Sequence, residues 1–180
     1  LLPTNEILES NFKEYFIYNK PRDIVSGDFY WFKQFNNSMY IAIADGTGHG
    51  VPGAFMSTLG ISLLNEVLGR NQIKSPDIVL EELRERLVGS MQQKVTNNNG
   101  MDMALCLIDR KANMLSYAGA NIPLYLFRNG GLILIKPNKM PVGDHPHVNQ
   151  KFTLHQIQLY PEDTLYIFTD GYVSQLGGRN

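Results

Sequence analysis

Ala44-Asp45-Gly46-Thr47-Gly48-His49-Gly50-Val51-Pro52-Gly53 closes an apolar run, Met39 to Ala44, with an acid and a burst of glycines. Aspartate suits a strand poorly, and glycine costs backbone entropy. A cluster that breaks local propensity so sharply marks a functional site more readily than a packing solution. The theme recurs in Ser26-Gly27-Asp28 and in Thr169-Asp170-Gly171. Three acids at strand ends point to hard cations, because Mg²⁺ and Mn²⁺ prefer carboxylates, backbone carbonyls and water. Gathered carboxylates repel one another unless cations neutralise them. Two such ions would clamp a nucleophilic water and the substrate oxygens of a displacement reaction.

Gly48-His49-Gly50-Val51-Pro52-Gly53 also fits G-x-G-x-x-G ahead of a helix. The dinucleotide reading fails because a second helix follows where a parallel strand and ribose-binding acid are needed. Asp45 would moreover face the pyrophosphate. A P-loop fails too, since no Lys-Ser or Lys-Thr follows the glycines.

Outward from this turn, Tyr15–Tyr18, Asp28–Phe35 and Met39–Ala44 read as strands, the last two joined at Asn36-Asn37-Ser38. Pro52 suits the first turn of a helix running to about Leu68, with Phe55, Leu59, Leu63 and Val67 along one side. Ser75-Pro76-Asp77 opens a second helix carrying Val79, Leu83, Leu87 and Met91 on one face. Asn97-Asn98-Asn99-Gly100 reads as a loop. The strands Met103–Ile108, Leu115–Tyr117, Leu124–Phe127, Leu132–Ile135, Phe152–Leu159 and Leu165–Phe168 follow, with tight connections at Asn113 and Asn129-Gly130. Helices and strands do not alternate, so the order predicts an α+β domain of packed antiparallel sheets with helices outside.

The 180 residues suffice for one domain with a substantial core. A net charge of −1 leaves no global field to attract nucleic acid or an acidic membrane. The apolar runs are too short to span a bilayer, and no signal-type segment opens the chain. The single cysteine, Cys106, rules out a disulfide framework and fits a reducing compartment.

Five ordered blocks carry a family resemblance: Asp23-Ile24-Val25-Ser26-Gly27-Asp28-Phe29-Tyr30-Trp31, the run from Ala44 to Ser57, Gly100 to Cys106, Tyr117 to Asn121, and Phe168 to Gly171. Together they resemble the stage II sporulation protein E-like branch of the metal-dependent type 2C serine/threonine phosphatases. The resemblance implies a four-layer α/β/β/α sandwich with two Mn²⁺ or Mg²⁺ ions between the sheets. It implies hydrolysis of phosphoserine or phosphothreonine by metal-activated water, without a phosphoenzyme. By motif, Asp45 would bridge both ions, Gly46 would offer its carbonyl, Asp170 would bind one ion, and Asp28 would act directly or through water. The implied substrate is a phosphorylated anti-sigma-factor antagonist-type protein.

Residues 1–14 are expected to end an upstream linker helix, and 15–180 to form the phosphatase-like domain. The family's further acidic pair, on a later strand, has no counterpart before Asn180. The domain is therefore expected to lack its C-terminal part. The competing reading is a non-catalytic regulatory or protein-binding module on the same fold. Neither nucleic acid nor membrane contact is expected; a homodimer is plausible by family analogy. A cytoplasmic location is expected, either free or as part of a larger membrane-anchored sensor. His49 is a candidate general acid or a turn residue, and Asp102 reads mainly as the end of the Asn loop. His145, His147 and His155 lack ligand spacing and read as surface residues.

Overall fold

Turn chemistry sets the strand order. Asn36, Asn113 and Asn129 take left-handed backbone conformations (φ 50°, 49° and 51°), and Gly130 follows at 75°. Asparagine and glycine enter that region at low cost, and such turns match the twist of the strands they join. The computed structural model describes residues 5–21, 23–69, 73–90, 100–145 and 150–174. A short helix, α1 (Asn5–Asn11), precedes β1 (Asp28–Phe35) and β2 (Ser38–Gly46). Next come α2 (Gly50–Val67), α3 (Pro76–Ser90), β3 (Gly100–Asp109), β4 (Met114–Ala120), β5 (Leu124–Arg128) and β6 (Gly131–Ile135). The chain continues through β7 (Val142–Gly143), β8 (His155–Gln158), β9 (Thr164–Tyr166) and the single turn α4 (Asp170–Val173).

Two antiparallel sheets form. One runs β1-β2-β3-β4-β8, with β7 added beside β3; the other runs β6-β5-β9. Period-2 alternation divides the large sheet's side chains between two cores. Phe29, Trp31, Tyr40, Ala42, Met103 and Leu105 meet α2 and α3, joined by Leu64, Val79, Leu83 and Leu87. Ala104, Cys106, Leu115 and Tyr117 face the small sheet, where Leu124, Ile135 and Leu165 complete a second core. Truncating one fully buried leucine here, such as Leu87 or Leu105, would cost about 2–5 kcal/mol. Polar ties fix the layers. The Trp31 indole N–H donates to Asn65 Oδ1 at 3.2 Å, and Tyr40 Oη donates to the Lys74 carbonyl at 2.5 Å.

The α+β class and paired antiparallel sheets are those expected. Three layers of the sandwich stand among the described residues: α2 with α3, the large sheet and the small sheet. The outer face of the small sheet leaves Phe127, Leu132, Leu134 and Tyr166 exposed, and a second helical layer is not seen among the described residues.

Two expectations need correction. Tyr15–Tyr18 has no regular secondary structure and joins neither sheet. Its aromatics instead reach the small sheet and α4, Phe16 against Tyr166 and Tyr18 against Tyr172 at 6.2 and 6.5 Å between ring centres. On α2, Leu63 and Val67 are buried and Leu59 packs against the core as expected, but Phe55 is 73% exposed, and Gly53, Met56, Gly60 and Leu64 widen the buried face instead. Gly60 lets that face pack closely, because a Cβ there would stand 2.8 Å from Phe29 Cζ. The helix therefore presents its glycine face so that the Phe29 ring can seat against it. Val79, Leu83 and Leu87 are buried as expected; Met91 and Asn97–Asn99 lie outside the described residues. The two-residue β7 was not foreseen from the sequence.

Candidate metal centre

Antiparallel register lines the acids up. Asp28 on β1 lies directly opposite Asp45 on β2, and Asp45 lies opposite Asp102 on β3. Alternation from the neighbouring core residues sends all three side chains to the face between the sheets. Asp170 arrives from the other sheet, just beyond β9. Thr169 closes the gap: its hydroxyl donates to Asp28 Oδ2 at 2.8 Å.

Like charges placed directly opposite in a sheet are destabilising. Burial pushes the Asp45 carboxyl up to about 8, and the charges and hydrogen-bonding contacts of Asp28 and then Asp170 push the same way. Every charge acting in that shift is a carboxylate. Asp102 is also raised, chiefly by burial; the Asn121 amide opposes this by donating to Asp102 Oδ1 at 2.8 Å, as does the field of Lys139.

The glycines hold the strand ends together. The Gly46 N–H donates to the Gly27 carbonyl at 3.2 Å, and Thr47 N–H and Oγ1 both donate to the Gly100 carbonyl at 3.1 and 2.7 Å. A Cβ on Gly27 would come within 2.4 Å of Gly46 O, and one on Gly53 within 2.6 Å of Gly48 O. These are contacts with backbone, which cannot swing aside. Ser26 Oγ accepts the Asp28 N–H at 3.0 Å, and Ser57 Oγ donates to the Ser26 carbonyl at 3.0 Å, tying the loop to α2. Gly27→Ala is therefore expected to force Asp28 and Asp45 apart and lower the melting temperature by several degrees, at a strain of about 1–3 kcal/mol. An unchanged melting curve would show that the loop yields freely.

Asp28, Asp45 and Asp170, expected from three separate stretches, come together, with Gly46 beside Asp45 at the end of β2. His49 does not join them: it is exposed at the start of α2, 3.8 Å from Asp23, and makes no side-chain cap. Sequence reasoning underrated Asp102, Asn121 and Thr169. Their signal was the quoted blocks themselves, since each falls inside or next to one. Asn121 adopts φ 60°, so it turns the chain after β4 and also reaches Asp102.

Among the described residues, no group of three His, Cys, Asp or Glu side chains forms a ready-made metal cage. Asp45 instead pairs with Asp28 on one side and Asp170 on the other. That donor set fits Mg²⁺ or Mn²⁺, which take hard oxygen ligands and retain several waters. Burial first, and the neighbouring carboxylates second, disfavour the ionised form of Asp45, a penalty that a bound cation would offset.

The chain matches the family model of stage II sporulation protein E (SpoIIE) over residues 36–179. The PP2C domain of SiaA from Pseudomonas aeruginosa is similar at 31% identity and a TM-score of 0.86, covering 99% of this chain and 69% of that one. The PP2C phosphatase domain of SpoIIE from Bacillus subtilis, with a fragment of its regulatory domain, is 23% identical with a TM-score of 0.70. That match covers 83% of this chain and 42% of the other. RsbX in complex with magnesium is 19% identical with a TM-score of 0.67, over 86% of this chain and 71% of that one. Comparison with curated protein sequences gave no match. The extent of the family match and the likeness to SiaA over nearly the whole chain agree with the paired sheets and the acids at their edge: the chain belongs to the stage II sporulation protein E family of type 2C phosphatases.

Proposed function

We propose that this chain is the catalytic unit of a metal-dependent protein serine/threonine phosphatase acting on a phosphorylated regulator of the anti-sigma-factor antagonist type. The observation that carries the reading is Asp45 within reach of both Asp28 on β1 and Asp170 just beyond β9. Asp45 would contact two ions, Asp28 and Asp170 one each, and the Gly46 carbonyl would complete the protein's share. When bound, Mn²⁺ or Mg²⁺ would supply an activated water and positive charge for the phosphoryl oxygens. The magnesium in the RsbX structure supports the choice of ion.

The chain's own groups perform the remaining tasks. The Thr169 hydroxyl fixes the Asp28 oxygen it donates to, and the Asn121 amide fixes Asp102. Holding a ligand's second oxygen in this way commonly matters about 10–100-fold, by mutation, for affinity or activity. The inter-sheet face and the backbone contacts among Gly27, Gly46 and Gly53 keep the acids from spreading apart. No helix among the described residues is long and apolar enough to cross a membrane.

The test is phosphate release from a phosphoserine form of an antagonist protein and from p-nitrophenyl phosphate, with MnCl₂, MgCl₂ or EDTA. Release with metal and none with EDTA is expected. Absence of release from both substrates with both metals would remove the phosphatase reading and leave a partner-binding module.

A further inference from the structure

We infer that the Lys139 ammonium, at the rim of the candidate metal centre, contacts the phosphoryl oxygens of the substrate directly. The inference rests on the phosphatase reading and adds to it a residue that binds the substrate.

Two anchors place Lys139 beside Asp102. On one side, the Asn121 N–H donates to the Asn138 carbonyl and the Asn138 N–H to the Gly119 carbonyl, each at 2.9 Å. Asn138 Oδ1 also accepts the Thr153 N–H at 2.8 Å. Asn121 is the residue whose amide holds Asp102. On the other side, Met140 is fully buried, and Val142 on β7 lies opposite Met101, the neighbour of Asp102 on β3. The connection from β6 to β7 is thus fastened, on both flanks of Lys139, to the segments that carry Asp102 and its amide partner. Lys139 itself is exposed.

The charges give the same placement. Asp102 lies in the field of both Asp170 and Lys139, so the lysine shares its surroundings with a candidate ligand. Of the charges acting on Asp45 and Asp102, Lys139 is the one cation. Yet among the described residues its ammonium makes no hydrogen bond or close ion pair, and Asp102 Oδ1 accepts from Asn121 instead. Lys74 and Lys151, by contrast, stand 2.6 and 3.8 Å from Glu82 and Glu81. An exposed lysine without a partner is ordinary in itself. One whose backbone is pinned on both sides next to a cluster of carboxylates is set for a ligand that arrives from solvent.

Charge complementarity identifies that ligand once cations are bound. Ionised Asp28, Asp45, Asp102 and Asp170 cancel the charge of two divalent ions, which leaves the loaded centre near neutral. A phosphate monoester brings negative charge that spreads over the phosphoryl oxygens in the transition state. Lys139 supplies positive charge where the loaded centre has none to spare. An ammonium is a compact charge on a flexible stem and binds phosphate without demanding one fixed geometry. The contact is to the phosphoryl group, so every substrate should depend on it alike.

The experiment compares Lys139→Gln and Lys139→Arg with the unaltered protein in MnCl₂. The substrates are p-nitrophenyl phosphate and the phosphoserine antagonist protein, with inorganic phosphate as inhibitor. Lys139→Gln is expected to lower kcat/KM about tenfold or more on both substrates and to weaken phosphate inhibition about tenfold. Lys139→Arg keeps the charge and should recover most of both losses. Mn²⁺ affinity should not weaken in Lys139→Gln, because a cation near the acids is removed. Weaker Mn²⁺ binding or a lower melting temperature, with phosphate inhibition unchanged, would assign Lys139 a structural role and overturn the inference. A loss confined to the phosphoprotein would make Lys139 a protein-docking charge and overturn it likewise. Should the unaltered protein release phosphate from neither substrate, the phosphatase reading fails by itself. Calorimetric titration of inorganic phosphate into the Mn²⁺-treated protein then decides the contact. Binding about tenfold weaker in Lys139→Gln supports it; equal binding, or none to the unaltered protein, refutes it.

Discussion

Asp45→Asn is expected to abolish metal-dependent phosphate release while making the metal-free protein more stable. The loss of activity should exceed about 100-fold, because the change removes the carboxylate between both partners and not merely a group that orients it. The gain in stability follows from linkage. In the folded chain Asp45 titrates near 8, against about 3.9 for an unfolded aspartate. Between those values the folded state holds a proton that the unfolded state has released. Stability of the metal-free protein is therefore greatest below about pH 4 for this group and falls as pH rises towards 8. Solvent screens a partly exposed site, so the effect is discounted to about 1–2 kcal/mol, or roughly 2–8 °C in melting temperature. The amide introduced by Asp45→Asn has no such proton to lose and should flatten the slope. On the proposed reading, Mn²⁺ or Mg²⁺ would bind the ionised form and should raise the melting point of the unaltered protein most at pH 8. Melting curves at pH 5 and 8, with EDTA and with MnCl₂, measure all of this. A variant that keeps a tenth of the activity, or melts no higher than its parent without metal, would contradict the assignment.

The second large effect lies away from the acids. Arg84 on α3 pairs with Glu81 one turn earlier, and both are buried. Arg84 also donates through both terminal nitrogens to the Gln150 carbonyl, at 3.0 Å each, and lies over the Phe152 ring at 5.1 Å. Glu81 accepts the Phe152 N–H at 2.8 Å. The pair thus pins the segment that leads into β8 against α3. Arg84→Met would leave a buried carboxylate without its main counter-charge, at a cost of about 3–5 kcal/mol, or roughly 6–20 °C in melting temperature. Adding Glu81→Gln should recover much of the loss, since the orphaned charge goes with it. If the single variant melts within a few degrees of the parent, Lys151, 3.8 Å from Glu81, has taken over the pairing.

Local signals made much of this fold legible beforehand. Asparagines that tolerate left-handed backbone identified the hairpins at Asn36, Asn113 and Asn129, and Pro52 and Ser75-Pro76 located the two long helices within a few residues. What escaped depends on contacts between distant segments. Nothing near Phe55 reveals that Gly60 must turn towards Phe29. Likewise, Tyr15–Tyr18 is an apolar, aromatic run of the kind that favours strands, yet it pairs with none of the described strands. At the centre, three acids could be picked out because each breaks the propensity of its own strand end. Asp102 breaks less, sitting between Met101 and Met103 behind a polar loop. Its place opposite Asp45 is a property of β2–β3 register, which no single segment encodes.

That register has a bearing on how the chain avoids assembling wrongly. Sliding β2 by one residue against β1 and β3 would exchange its faces, turning Asp45 towards the helices and Ala44 towards the small sheet. Such a slip would also break the tie of buried Tyr40 to Lys74 and exchange Ile41 and Ile43 with the alanines that alternate with them. The acid at the end of β2 adds a further penalty, because the helix-side core is apolar and an ionised carboxylate is costly there. The same residue that strains the finished sheet thereby helps to exclude its nearest misfolded neighbour.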